Sequence, residues 1–228
     1  MRHGQAILEE AQTYGDPLGE LDHDAIAATA LTMVGRRRLE NIARCVRDVV
    51  ENGIPGDVVE TGVWRGGASI VMRGALVAYG ASERKAYVAD SFDGLPEVDP
   101  RYPADAPIGH LHESDFLRVS LETVRQNFDR FGLLDENVVF VKGRFRDTLP
   151  DLRGNTWSVI RLDGDYYEST IDGLVNLYPG LSVGGWLVVD DYHVEACRQA
   201  VDDYCRQHSI AEDIVPIDNW SACWQRTR

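Results

Sequence analysis

Four short apolar runs in this chain end in acids: DVVE at Glu60, AYVAD at Asp90, WSVIRLD at Asp163 and GWLVVDD at Asp190 and Asp191. Each is bounded by turn residues, and stretches of helical periodicity lie between them. Apolar runs this short, without polar alternation, read as strands buried on both faces. Strands alternating with helices imply an α/β domain whose mostly parallel sheet is covered by helices on both faces. In such sheets ligands sit beyond the carboxyl ends of the strands, where the strand order reverses. The chemistry is therefore expected just after Glu60, Asp90, Val141, Asp163 and Asp190.

Seven strands are expected, at 57–61, 86–90, 137–141, 157–163, 185–191, 214–217 and 222–225. The helical spacing of Leu39, Ile42, Val46, Val49 and Val50 marks a helix ended by Asn52-Gly53. Further helices are expected at 68–79, 113–131, 169–178 and 195–208, with a long loop at 91–112. Residues 1–31 show a weaker pattern, with a turn at Tyr14 and a helix start at Asp24. That segment reads as an N-terminal extension, with a lid, an oligomer arm and a packed extension all open. The domain proper is read as 32–228.

With 23 basic and 37 acidic side chains the net charge is −14. Such a chain is a poor partner for nucleic acid or an anionic membrane. The longest mostly apolar run, from Ala25 to Val34, is too short to span a bilayer. Cys45, Cys197, Cys205 and Cys223 form no CxxC pair and no zinc spacing, so they read as reduced, mostly buried thiols of a cytoplasmic protein.

The run ETGVWRGG that begins at Glu60 follows the first strand. Gly62 permits a sharp turn, and Gly66 and Gly67 permit close approach to the backbone. Its spacing is GxxxGG and not the GxGxxG of a dinucleotide site. A strand-end acid with such a turn suits a ligand bearing an amino-acid group, such as S-adenosylmethionine. Asp90 is placed to accept hydrogen bonds from ribose hydroxyls. Gly143 and Phe145, after the third strand, suit an adenine pocket. Asp163, Asp190 and Asp191 converge if their strands are neighbours. Three carboxylates together raise one another's pKa, a cost that a hard divalent cation such as Mg²⁺ removes.

These motifs, with Thr32-Met-Val-Gly-Arg-Arg-Arg-Leu39, Ala89-Asp-Ser-Phe-Asp-Gly-Leu-Pro96, Arg161-Leu-Asp-Gly-Asp-Tyr-Tyr-Glu-Ser-Thr170 and Cys197-Arg-Gln-Ala-Val-Asp-Asp-Tyr204, resemble the macrocin O-methyltransferase (TylF-like) family. The resemblance runs in order over 32–228. It implies a class I methyltransferase (Rossmann-like) fold, S-adenosylmethionine as donor, Mg²⁺ dependence and a homo-oligomer, dimer or higher. By this resemblance Asp163, Asp190 and Asp191 are the metal ligands. Glu60, Thr61, Gly62, Asp90, Ser91, Gly143 and Phe145 form the donor site. The lysine base of related catechol enzymes is replaced by Tyr166, which excludes a lysine mechanism.

The expected reaction is transfer of a methyl group to a deoxysugar hydroxyl on a glycosylated small molecule. Methylation of a phenolic hydroxyl is the alternative, and an NAD(P)-dependent sugar oxidoreductase is more distant. A metal-dependent hydrolase and a non-catalytic donor-binding subunit are the remaining rivals. Asp163 is the first choice of base, and His193 the second. His110 and His112 can line the acceptor pocket. Trp64, Phe92 and Tyr192 can meet an aglycone or pack in the core.

Overall fold

A computed structural model describes residues 29–228. The turn expected at Tyr14 and the helix start expected at Asp24 lie outside the described residues. Helix α1 (Arg36–Glu51) leads to β1 (Asp57–Thr61), α2 (Gly67–Ala78) and β2 (Ala86–Asp90). Then come α3 (Leu121–Arg130), β3 (Val138–Lys142), the short α4 (Phe145–Thr148) and β4 (Trp157–Leu162). The chain ends with α5 (Tyr167–Leu177), β5 (Leu181–Val189), α6 (Glu195–His208), β6 (Val215–Pro216) and β7 (Ala222–Gln225).

The seven strands lie in the order β3-β2-β1-β4-β5-β7-β6. The first five are mutually parallel, and β7 runs antiparallel to β5 and β6. The order reverses between β1 and β4, so the switch point lies where the sequence reading sought the chemistry. Side chains alternate across the sheet. Val58, Val159 and Val188 pack with Ile42, Val46 and Met72 of α1 and α2. Val59, Ile160 and Leu187 pack on the opposite face with Leu174, Tyr204 and Trp224. This two-sided burial explains the near-continuous apolar strands. Among the described residues no helix is long and apolar enough to cross a membrane. All four cysteines are free, three of them buried.

One expected helix is much shorter than read. Of the span 113–131 only Leu121–Arg130 is α-helical, because the Ser120 hydroxyl caps it by accepting the Thr123 N–H at 3.2 Å. Upstream, Pro103–Glu113 and Asp115–Leu117 are 3₁₀ turns, with Pro107 inside the first. Strand β5 begins at Leu181, ahead of the expected 185.

The backbone ladder continues one residue past the strands. Asp163 N–H donates to the Thr61 carbonyl and Asp190 N–H to the Leu162 carbonyl, each at 2.9 Å. The acids that follow β4 and β5 are thereby fixed by main chain before any side-chain contact forms. Gly62 completes this edge. Its φ is +80°, and a Cβ there would lie 1.4 Å from the Asp163 carbonyl oxygen. Gly62→Ala must therefore push β1 and β4 apart. Gly53 has a similar φ of +63° but open space around it. Gly53→Ala should cost about 1–2 kcal/mol in urea unfolding, the left-handed penalty alone. Gly62→Ala should cost clearly more, and equal losses would refute the close-contact argument.

Candidate active site

The site is built around an arginine. Arg161 lies in β4, a strand buried along its whole length, and is itself 1% exposed. Its register partner on β1 is Glu60, and the two side chains form an ion pair. Arg161 also pairs with Asp163 at 2.8 Å and Asp190 at 2.5 Å. Burial works against its charge, yet Asp190, Asp163 and Glu60 hold its pKa well above the ordinary value. A second arginine, Arg38 of α1, pairs with Asp190 at 2.5 Å and Asp218 at 3.2 Å.

Asp163, Asp190 and Asp191 present carboxylate oxygens all within 4.8 Å of one another. Asp165 joins them through its N–H, which donates to Asp191 at 3.1 Å. Six carboxylates, counting Glu60 and Asp218, thus face two guanidinium groups. Burial first, then Asp165 and Asp190, pushes Asp191 up to about 7. Burial, Asp163 and Asp190 push Asp165 up to about 7. Burial raises Asp163 well above the carboxylate range, against the pull of Arg161. Repulsion left over after both arginines, among oxygen donors only, is what a hard divalent cation relieves. The residues fit Mg²⁺ on these grounds.

Two cavities adjoin at this edge. The first is lined by Gly62, Asp90, Ser91, Gly143, Phe145 and Asp163. The second contains Glu60, Asp190, Asp191, His110, His193 and Trp220. Met33, Trp64, Leu117, Asp163 and Asp165 border both. The Asp90 carboxylate is held by N–H groups of Val63 at 2.7 Å and Phe92 at 2.8 Å. Burial raises its pKa, and these N–H groups oppose the rise. The Gly143 N–H donates to the Asp90 carbonyl at 2.9 Å. Trp64, Phe92 and Asp165 all carry positive φ. Such backbone in non-glycine residues is costly and gathers at functional edges.

Most of the expected site residues meet here, but some occupy different places. Glu60 lies on the second cavity, and its carboxylate is engaged by Ser69 as well as Arg161. Thr61 is buried and lines neither cavity. Gly66 makes its close approach to Val124 and Phe128, and Gly67 to Leu31 and Thr32. Gly67 N–H donates to the Leu31 carbonyl at 2.9 Å. Phe92 is core, and Tyr192 packs against the core. Trp64 stacks with Phe116 at 5.1 Å between centroids and carries Arg65 over its face at 4.2 Å.

Sequence reasoning passed over Arg38 and Arg161, since one sits among helical surface positions and the other inside an apolar strand. It also missed Asp105, which is 1% exposed and lies in the long loop. Its carboxylate accepts the Tyr167 N–H at 2.5 Å and the Glu168 N–H at 3.2 Å. The loop thereby caps α5 directly after the metal-ligand candidate Asp163. An aspartate between two prolines, Pro103 and Pro107, was the available signal.

The family model for macrocin-O-methyltransferase (TylF) matches residues 3–226. The demethyldecarbamoylnovobiocin O-methyltransferase of Streptomyces niveus is 51% identical over 203 residues, covering 88% of this chain and 78% of that protein. A tetracenomycin 4'-O-methyltransferase of Streptomyces olivaceus, whose named substrate carries a 2,3-dimethoxy-α-L-rhamnosyl group, is 51% identical over 201 residues, 88% of this chain and 77% of that protein. The solved structure of the O-methyltransferase NovP superposes with a TM-score of 0.87 at 45% identity, covering 100% of this chain and 98% of that one.

A carboxyl whose folded pKa is raised favours the fold while protonated. For Asp165 and Asp191 that contribution is complete below about 4 and is lost as pH rises through about 7. Metal-free protein should therefore lose thermal stability between about pH 4 and pH 7. Mg²⁺ should raise the melting temperature more at pH 8 than at pH 5 in scanning fluorimetry, because protons compete for the same oxygens. Equal shifts at both pH values would count against the cation. Arg161→Met should destabilise by about 3–5 kcal/mol in urea unfolding, since it strands buried carboxylates.

Proposed function

The chain belongs to the macrocin O-methyltransferase family, and on that premise we propose that it methylates a deoxysugar hydroxyl on a glycosylated natural product, with Mg²⁺ required. It is an O-methyltransferase that uses S-adenosylmethionine. Membership sets aside the oxidoreductase, hydrolase and scaffold readings. The observation that carries the proposal is the position of Asp163, which borders both cavities and belongs to the cluster of three carboxylates. Two relatives named for methylating antibiotic-type molecules, one with a rhamnosyl substrate, support the acceptor class.

In this reading Asp90 takes the donor's ribose hydroxyls, and its carboxylate is already aimed by the Val63 and Phe92 N–H groups. Ser91, Gly62, Gly143 and Phe145 also line the donor cavity. Trp64, Met33 and Leu117 wall the junction and exclude water from the reacting atoms. When bound by Asp163, Asp190 and Asp191, Mg²⁺ supplies Lewis-acid activation of the acceptor hydroxyl. Arg38 and Arg161 hold Asp190 from both of its oxygens and so fix its orientation. A carboxylate oxygen of Asp163 takes the hydroxyl proton as the methyl group arrives. His193 is the second choice. Its Nδ1 faces the Trp220 carbonyl at 3.2 Å, which leaves Nε2 to accept a proton in the neutral ring. Burial lowers its pKa and favours that neutral form. His193 borders only the second cavity, whereas Asp163 borders both.

The proposal extends to the setting: a cytoplasmic homo-oligomer whose partners are small glycosylated acceptors. The charge of −14 supports the exclusion of nucleic acid and anionic membrane.

Asp191→Asn should lower turnover by roughly 100-fold or more, as loss of a metal ligand does. Its affinity for S-adenosylmethionine by calorimetry should stay within a few-fold of wild type. EDTA should silence the wild-type enzyme, and Mg²⁺ should restore it. Full activity in EDTA would overturn the metal requirement.

A further inference from the structure

Beyond the carboxylates, the second cavity has an aromatic side chain, Trp220, that the methyl-transfer scheme leaves unused. Trp220 sits in the turn between β6 and β7 and is half-buried. Its ring meets His193 at 3.8 Å between centroids and 71° between planes. Both side chains border the second cavity.

The turn is held rigidly. One oxygen of Asp218 accepts the N–H groups of Trp220 and Ser221, each at 2.9 Å, and the Ser221 hydroxyl at 3.0 Å. The other oxygen pairs with Arg38 at 3.2 Å, and Arg38 pairs in turn with Asp190. On the far side the His193 N–H donates to the Trp220 carbonyl at 2.9 Å. The Trp220 main chain is therefore tied to a metal-ligand candidate through Asp218 and one arginine, and to the Asp191 loop through one backbone hydrogen bond.

Its polar edge is open. Trp64, Trp186 and Trp224 each give the indole N–H to an acceptor within the molecule: the Phe116 carbonyl, Asp48 and the Tyr178 hydroxyl. The N–H of Trp220 meets no such acceptor among the described residues. A flat apolar face with a free donor at its rim, set beside a cluster of oxygen ligands, matches a pyranose. One face of that ring is C–H, and its rim carries hydroxyls. We propose that Trp220 is the platform that binds the sugar ring of the acceptor and so determines specificity for a glycoside. The inference rests on the acceptor class proposed above. The Asp190–Arg38–Asp218 chain then sets the ring's position relative to the carboxylates, making Arg38 and Asp218 positioning residues.

The test uses p-nitrophenyl α-L-rhamnoside and α-L-fucoside as probes, with the full chain and Mg²⁺. Saturation-transfer NMR in the presence of S-adenosylhomocysteine reads contact with the sugar C–H protons. Labelled S-adenosylmethionine reads KM and kcat. Trp220→Ala should lose the sugar C–H signals and raise the glycoside KM roughly tenfold, the equivalent of one good aromatic contact. Its donor affinity, melting temperature and kcat should stay near wild type. Trp220→Phe keeps a ring and should restore most of the glycoside binding. Unchanged glycoside KM and NMR contacts in Trp220→Ala would overturn the platform while leaving the methyltransferase reading intact. A joint fall in donor affinity, melting temperature and glycoside binding would reduce Trp220 to a structural role and also overturn it. A wild-type enzyme that neither contacts nor methylates either glycoside would sink the acceptor class, and the platform with it.

Discussion

The guanidinium of Arg161 is the interaction on which the site depends. An arginine in the central strand of a buried sheet is costly to desolvate, and its cost is offset only where carboxylates surround it. Glu60 lies opposite it in register, Asp163 stands two residues on, and Asp190 reaches it from β5. Three strands therefore carry charges whose burial makes sense only when β1, β4 and β5 are assembled in this order. The same cation lets acids crowd at the sheet edge without enough positive charge to silence them. The remaining excess of negative charge is what a divalent ion would offset there.

From that centre the two halves of the site divide by strand. The proposed donor side is drawn from β1, β2 and β3, with Gly62, Asp90 and Gly143 at their ends. The proposed acceptor side draws on β5, on the loop after it and on the β6–β7 turn, through Asp190, Asp191, His193 and Trp220. Asp163, from β4, stands between them. The long loop contributes walls to both and is anchored by Asp105 at the start of α5. An N-cap of this kind is worth about 1–2 kcal/mol, enough to keep a proline-rich segment in place over the edge.

Much of the architecture was legible because it follows from periodicity. Apolar runs, four of them ending in acids, located five parallel strands, and the alternation with helices gave the layer order. Asp163, Asp190 and Asp191 were legible because strands that stop level with one another must bring their next residues together. What escaped was whatever depends on tertiary pairing. Arg161 reads as a blemish in an apolar strand until Glu60 is seen across from it. Arg38 lies on a helix rich in arginines, and nothing local marks the one that turns inward. Gly66 and Gly67 were read as room for a ligand or a helix, and it is helix α3 at Gly66 and residues 31–32 at Gly67 that fill it. The helix expected from 113 failed because apolar residues such as Phe116 lie at helical spacing in a segment that 3₁₀ turns and the Ser120 cap interrupt.

The missing side chain of Gly62 has a wider consequence. The turn proposed to cradle the methyl donor and the carboxylate proposed to grip the acceptor belong to adjacent strands whose backbones touch with nothing between them. The spacing between those two backbones is that of a β-ladder, about 4.8 Å, and no rotamer has to be tuned to set it. Surrounding loops are free to diverge and to admit new molecules, while the distance between the turn and the acid-bearing strand stays built into the main chain.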